Sequence, residues 1–94
     1  MTDLAKLAVL KQDLQLITSA HDVYLLTLLE LAQSAIETEG IVCKEDDIEC
    51  DMAIIQYAAY LFRRRASNET IMPRFLRYQL NQLLFAQKTG GEAH

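Results

Sequence analysis

Apolar residues recur along this chain three and four positions apart, which is the spacing that places them on one face of an α-helix. Four segments show this spacing, and short polar stretches separate them. The first segment is the shortest and runs from Leu4 to about Leu14, with Thr2 or Asp3 as the cap at its start. The pattern therefore predicts an all-α fold, a small bundle of three long helices plus a shorter N-terminal helix.

The second segment is predicted to begin at Ser19 and to end at the glutamate before Gly40. Ser19-x-x-Asp22 resembles a capping box, in which the hydroxyl and the carboxylate satisfy free backbone amides at a helix start. Gly40 suits the left-handed conformation that ends a helix, and Ile41 can then fold back on Ile36 as in a Schellman motif. We therefore expect a long helix with a defined signal at each end.

The third segment follows the charged stretch Lys44-Glu-Asp-Asp47, in which Asp46 is the expected cap. It is predicted to run from about Asp47 to Ala66. A helix that is apolar on most sides is buried on most sides, so we expect the central helix of the bundle, or one that also faces another subunit. Its two apolar stripes are Ile48, Met52, Ile55, Ala59 and Phe62, and Ile54, Tyr57, Ala58 and Leu61.

The last segment starts at Pro73, which fits the first turn of a helix because its missing N–H has no intrahelical partner there. Its core stripe is Leu76, Leu80, Leu83 and Leu84, with Phe75, Tyr78 and Phe85 beside it. Gly90-Gly91 is predicted to end the ordered structure. The chain is therefore expected to form one helical domain over residues 1–89, with a flexible tail over residues 90–94.

The net charge of −4 conceals an asymmetry along the chain. Residues 1–51 contain eleven acids and three bases, whereas residues 52–94 contain two acids and six bases. A subunit of this kind can pair head to tail with its own copies, and such heterologous contacts can close into a ring. Alternatively, the two halves neutralise each other within one monomer, and charge alone does not choose between these interpretations.

Few residues in the sequence indicate a catalytic or metal-binding site. Cys43 and Cys50 match no zinc-binding spacing, and a disulfide is not expected in a reducing cytoplasm. His21 is the only histidine inside the predicted fold, so a catalytic nucleophile, base and orienting group cannot be assembled. The carboxylates between residues 45 and 51 do not follow the calcium-binding EF-hand pattern. We therefore expect no enzymatic activity, no cofactor and no metal.

Arg63-Arg64-Arg65 closes the third segment. Cations in a last turn complement the negative end of the helix dipole. The same guanidinium groups could instead bind an acidic partner or phosphate. Both interpretations stay open at this point.

Three stretches carry a resemblance to a known family. In Asp46–Tyr60 an acidic start leads into a Met-x-x-x-x-Tyr-Ala-Ala-Tyr helix, and Met72–Lys88 opens with Met-Pro-Arg and ends with Phe-Ala-Gln-Lys. Together with Glu37-Thr-Glu-Gly-Ile41, they resemble the small all-helical head–tail connector proteins, also called adaptor or head-completion proteins, of long-tailed bacteriophages and prophages. The resemblance covers most of the chain, from about Leu14 to Lys88.

This resemblance implies a structural virion protein that oligomerises into a ring under the portal. Such a ring extends the DNA channel, through which the genome passes without sequence-specific binding, and the tail or a stopper protein docks on it. The implied location is the head–tail junction of the virion after assembly in the bacterial host cytoplasm, with no membrane involved. The residues expected at subunit or portal contacts are Arg63, Arg64, Arg65, Arg74, Arg77, Gln87 and Lys88.

A small helix-turn-helix DNA-binding regulator is the main alternative. The third and fourth segments and the turn between them could form that motif, and the last segment contains residue types that read base edges. Against it, the turn lacks the usual glycine and the chain is acidic overall. A helical dimeric adaptor is a third possibility. The residues that would read bases are Arg74, Arg77, Gln79, Asn81 and Gln82.

Overall fold

The computed structural model describes the backbone of residues 1–67 and 71–92, with side chains over residues 1–65 and 71–88. All regular structure in these residues is helical, which confirms the predicted all-α bundle of three long helices and a shorter first one. The helices are α1 (Asp3–Leu14), α2 (Asp22–Thr38), α3 (Ile48–Ser67) and α4 (Arg74–Glu92).

Helix α3 lies at the centre of the bundle and contacts each of the other three helices. Helices α1 and α2 also pack against each other, whereas α4 packs mainly against α3. The prediction of a central third helix is therefore confirmed, although Ile48, in its first turn, is exposed. The buried core comprises Leu7, Leu10, Leu25, Leu28, Leu29, Ala32, Ile36, Ile41, Cys50, Ala53, Ile54, Ile55, Ala58, Ala59, Tyr60, Leu76, Leu80 and Leu83.

Helix α1 begins as predicted, because the Thr2 hydroxyl accepts a hydrogen bond from the Ala5 amide at 3.1 Å. It ends at Leu14, and the next residue, Gln15, caps it with a φ of 58° in the left-handed region. The amides of Gln15 and Leu16 there donate to the carbonyls of Gln12 and Lys11. A glutamine thus occupies a position that glycine usually takes.

The predicted capping box at the start of α2 is wrong. The helix begins at Asp22, and the preceding His21 makes no capping hydrogen bond through its side chain. Ser19 instead accepts a hydrogen bond from the Asp22 amide through its backbone carbonyl, at 3.2 Å. The Asp22 carboxylate is bonded to Lys11 of α1 at 2.9 Å, so a tertiary contact takes the place of the local cap.

The predicted end of α2 is confirmed as a Schellman motif. Gly40 has a φ of +101°, and its amide donates to the Glu37 carbonyl at 3.0 Å. The Ile41 amide donates to the Ile36 carbonyl at 3.4 Å, which is the bond that defines the motif. Ile41 is thereby turned into the core, where it is fully buried.

The connector between α2 and α3, residues 40–47, differs from expectation in two ways. The cap of α3 is Asp47, whose carboxylate accepts from the Cys50 amide at 3.2 Å, because Asp46 is held in the left-handed region with a φ of 61°. Cys43 and Cys50 form a disulfide with their Cα atoms 5.6 Å apart, so the expectation of two separate thiols was wrong. The connector turns back over the first turn of α3, which brings the two cysteines together.

Helix α4 starts at Arg74, one residue later than predicted, and the Pro73 carbonyl accepts from the Arg77 amide at 3.1 Å. Its leucine stripe is buried or half-buried, as expected. The helical backbone continues to Glu92, beyond the predicted end at Gly90-Gly91. Residues 93 and 94 of the expected tail lie outside the described part of the chain, so its flexibility stays a prediction.

Candidate functional site

Helix α4 has two opposite apolar faces. Leu76, Leu80 and two further leucines face the bundle, as described above. Phe75, Tyr78 and Phe85 lie on the opposite side, because positions 75, 78 and 85 follow one another along one face of a helix. These three side chains, here called the aromatic face, are 60%, 67% and 69% exposed. An exposed apolar patch of this kind is a candidate surface for contact with another molecule.

The charged side chains of this segment are all basic. Within the described side chains of residues 71–88 they are Arg74, Arg77 and Lys88, and the segment contains no acid. Arg74 and Lys88 are exposed near opposite ends of the aromatic face. The face therefore combines aromatic rings with positive charge, which favours a partner surface that is apolar and acidic.

Two of the predicted interface arginines are bound within the chain. Arg77 makes a bidentate ion pair with Glu39 at the end of α2, with nitrogen–oxygen distances of 2.6 and 3.3 Å. Arg63 contacts Asp13 of α1, with its Nη2 3.2 Å from the carboxylate. Both pairs join the basic half of the sequence to the acidic half, so part of the charge asymmetry is neutralised inside the monomer.

The Arg77–Glu39 pair also sets the local electrostatics. The hydrogen bond that the Arg77 guanidinium donates to Glu39 raises the pKa of Arg77, so this residue stays charged at any working pH. Tyr57 of α3 lies close enough to respond to the pair. Burial raises the pKa of the Tyr57 hydroxyl, and the charge of Glu39 raises it further. Tyr57 is therefore neutral at physiological pH.

The arginine run of α3 does not form one patch. Arg65 stacks on the ring of Tyr24 of α2, with its guanidinium carbon 4.8 Å from the ring centroid. Phe62 lies beside it and meets the His21 ring edge-on at 5.7 Å. Arg63 points to α1 and Arg64 is exposed, as the 100° step between successive helical residues requires. The three cations thus point in separate directions at the C-terminal end of α3, where they also complement its dipole.

The Gln87 side chain bonds α4 to the connector between α2 and α3. Its side-chain amide donates to the Val42 carbonyl at 2.7 Å, and its Oε1 accepts from the Val42 amide at 2.8 Å. Lys88, the next residue, is exposed. The predicted interface pair Gln87–Lys88 therefore divides into one residue that holds the fold together and one that is available to a partner.

Replacing Gln87 with glutamate is expected to lower the free energy of unfolding by about 1 kcal/mol, because a carboxylate loses the bond to the Val42 carbonyl and is repelled by it. Gln82 lies on the exposed side of the same helix, so Gln82→Glu is the matched control and should change stability little. Urea denaturation of both variants measures the difference. Equal midpoints for the two would show that the Gln87–Val42 contact does not contribute.

The geometry bears on the DNA-binding alternative as well. Arg74, Asn81 and Gln82 are exposed, but Arg77 is held by Glu39 and Gln79 is half-buried. The outer side of α4, which would have to enter a groove, presents aromatic rings. Residues 68–70, in the turn of the expected motif, lie outside the described residues.

Other kinds of site find no support in the described residues. No cluster of three or more histidine, cysteine or carboxylate side chains there could hold a metal ion. Among those same residues, no helix has both the length and the apolar character needed to cross a membrane. The aromatic face is thus the feature with the clearest functional meaning.

Sequence reasoning placed the three aromatic residues beside the core stripe and did not identify them as a separate exposed face. The signal was present in their spacing of three and seven residues, which differs in phase from that of the leucines. The disulfide and the Gln87–Val42 contact were also not predicted, because no local sequence pattern indicates either one.

Comparison of the chain with protein-family models, with curated proteins and with solved structures gives no significant match.

Proposed function

We propose that this protein is a structural subunit that assembles with its own copies into a ring, of the kind that head–tail connectors form under a phage portal. In that role the ring extends the DNA channel and presents a docking surface to the tail or a stopper protein. The observation that carries the proposal is the exposed aromatic face of α4. A non-enzymatic assembly role needs such a surface and needs no catalytic set.

The size of the aromatic face suits a ring better than a single strong contact. An aromatic side chain buries about 150–250 Å², so three that are two-thirds exposed could bury roughly 300–500 Å² more. At about 25 cal/mol per Å², this contributes about 7–12 kcal/mol. Association costs about 4–15 kcal/mol, so one contact of this size is weak. In a closed ring every subunit makes two contacts. The ring is therefore stable at protein concentrations at which an isolated pair of subunits dissociates.

The basic residues of α4 fit the same role. Arg74 and Lys88 are exposed, and no ion pair in the described part of the chain involves them. The acidic first half of a neighbouring copy offers carboxylates for both. Contacts between unlike charges guide association and fix register more than they add affinity.

Light scattering on a sizing column, over a concentration series, tests the proposal. We expect a ring-sized species many times the 10.7 kDa mass of the chain. A dimer at all concentrations would favour the adaptor or DNA-binding alternative, and a shift of duplex DNA would then identify the latter. A monomer throughout, alone and with a portal protein from the same genome, would overturn the proposal.

A further inference from the structure

A second exposed surface lies between α1 and α2. It is a groove of about 180 Å³, with Leu26 and Leu29 of α2 among its lining residues and Leu4 of α1 at its edge. Leu4 is 73% exposed, so an apolar side chain stands open to a partner here. Asp3 and Glu30 give the groove an acidic rim, and both are exposed.

The one basic residue of this groove does not cancel its acidity. Lys6 is only 8% exposed, and its Nζ lies 3.9 Å from the Asp3 carboxylate. Two exposed carboxylates therefore face solvent against one largely covered ammonium group. The groove thus combines three leucines with Gln33 and a net negative charge, and the aromatic and basic face of α4 requires both apolar surface and acid in a partner.

We infer that the aromatic face of α4 in one copy docks in the α1–α2 groove of the next copy. This inference rests on the proposed function and names the two surfaces that meet in the ring. Both surfaces are present on every subunit and are different from each other, so the contact is heterologous and can propagate around a ring. Within one chain they cannot meet, because the leucines of α4 hold its other side against α3.

Two other arrangements are conceivable: the aromatic faces of two copies pack on each other, or the aromatic face docks in a different groove. The charges of these surfaces argue against both. If the aromatic faces of two copies packed on each other, Arg74 and Lys88 of both copies would lie together with no acid from residues 71–88 between them. Like charges placed together in this way oppose binding. A larger apolar groove, about 460 Å³, also includes Leu4 together with Ile17, but its charged residue is Lys11, which is paired with Asp22, so its lining offers no acid to Arg74 and Lys88. The α1–α2 groove is the apolar surface of opposite charge.

The test uses two variants that each block one surface. Tyr78→Glu with Phe85→Glu places acid on the aromatic face. Glu30→Arg with Gln33→Arg places base in the α1–α2 groove and leaves the larger groove unchanged. Each variant alone should elute as a monomer of 10.7 kDa, with loss of the ring peak. Mixed in equal amounts and treated with a chemical cross-linker, the two should give a heterodimer and nothing larger, because each contributes its one intact surface and the cross-linker captures a weak single contact.

Matched controls make the same chemical changes elsewhere. Val23→Glu replaces an apolar residue that is 80% exposed, and Glu45→Arg reverses an exposed acid in the connector. Both controls should form rings like the unmodified protein. If a charged variant loses its helical circular dichroism, Glu30→Gln with Gln33→Lys and Tyr78→Ser with Phe85→Ser repeat the test with milder changes.

The outcomes separate this inference from the function on which it rests. If the groove variant still forms rings while the α4 variant is monomeric, the docking partner of the aromatic face lies elsewhere and the inference is overturned. A mixture from which no heterodimer can be cross-linked has the same meaning, since two intact complementary surfaces would then have failed to pair. If the unmodified protein forms no ring either alone or with a portal protein from the same genome, the proposed function itself fails.

Discussion

Replacing Leu80 with alanine is expected to lower the free energy of unfolding by about 3 kcal/mol, within the usual range of about 2–5 kcal/mol for a buried leucine. Leu80 is 1% exposed and packs on the face of α4 that meets α3. The shorter side chain removes apolar contacts and leaves a cavity that the surrounding helices fill only in part. Because α4 packs mainly on α3, this loss falls on the contact that holds the last helix in place.

Urea denaturation followed by circular dichroism measures this change, and Phe85→Ala is the control on the same helix. Phe85 is 69% exposed, so in the monomer its removal should change stability by less than about 0.5 kcal/mol. Both variants should be compared at a concentration where the midpoint no longer depends on protein concentration, because assembly would otherwise add to the apparent stability. A larger effect for Phe85 than for Leu80 would mean that the two faces of α4 have been assigned the wrong way round.

Reducing the Cys43–Cys50 disulfide is expected to cost about 2–3 kcal/mol of stability. The bridge links positions seven residues apart, and closing a loop of this length restricts the unfolded chain by about that amount. It also ties the connector to the first turn of α3 through Cys50, which is fully buried. Reduction therefore loosens the connector, to which the Gln87 side chain of α4 is hydrogen-bonded at Val42.

Urea unfolding with and without a phosphine reductant tests this prediction. The reductant should lower the midpoint of the unmodified protein and leave the Cys43→Ser, Cys50→Ala variant unaffected. Alkylation before and after reduction, followed by mass spectrometry, establishes how many thiols are free in each sample. Two thiols that alkylate without reductant in the purified, air-exposed protein would contradict the bridge itself.

The helices were predictable from the sequence because their signals are local. The leucines of α4 and the wide apolar surface of α3 follow the helical period, and burial follows from that period. The Schellman motif at Gly40 was predictable for the same reason, since it involves only residues between 36 and 41. Each of these features is determined by a few neighbouring residues.

The predictions failed where a distant residue determined the outcome. Asp22 has the right position for a capping box at Ser19, yet its carboxylate is bound by Lys11 of another helix. Asp46 and Asp47 are equally good caps by type, and the path of the connector selects the second. The disulfide depends on that same path, which no spacing rule describes.

For the candidate site, the sequence identified the basic residues of the surface but not the exposed aromatic face between them. Arg74 and Lys88 are exposed, as an interface role requires, but Arg63 and Arg77 find carboxylates within their own chain. Whether an arginine has an intramolecular partner depends on how the helices are arranged, and the sequence alone does not supply that arrangement. The aromatic face was overlooked because aromatic residues next to a leucine stripe are usually part of the core.

The position of α4 determines which part of the protein unfolds first. Helices α1, α2 and α3 each pack against both of the others, whereas α4 is held mainly by α3, with the Arg77–Glu39 ion pair and the Gln87–Val42 hydrogen bonds as its further attachments. An element with so few tertiary contacts opens at a lower free energy than the whole domain. The amide hydrogens of α4 can then exchange with solvent through local events that leave the other three helices folded. A neighbour that covered the outer side of α4 would suppress those events, so slow exchange in this helix would be a property of the assembly and not of the single chain.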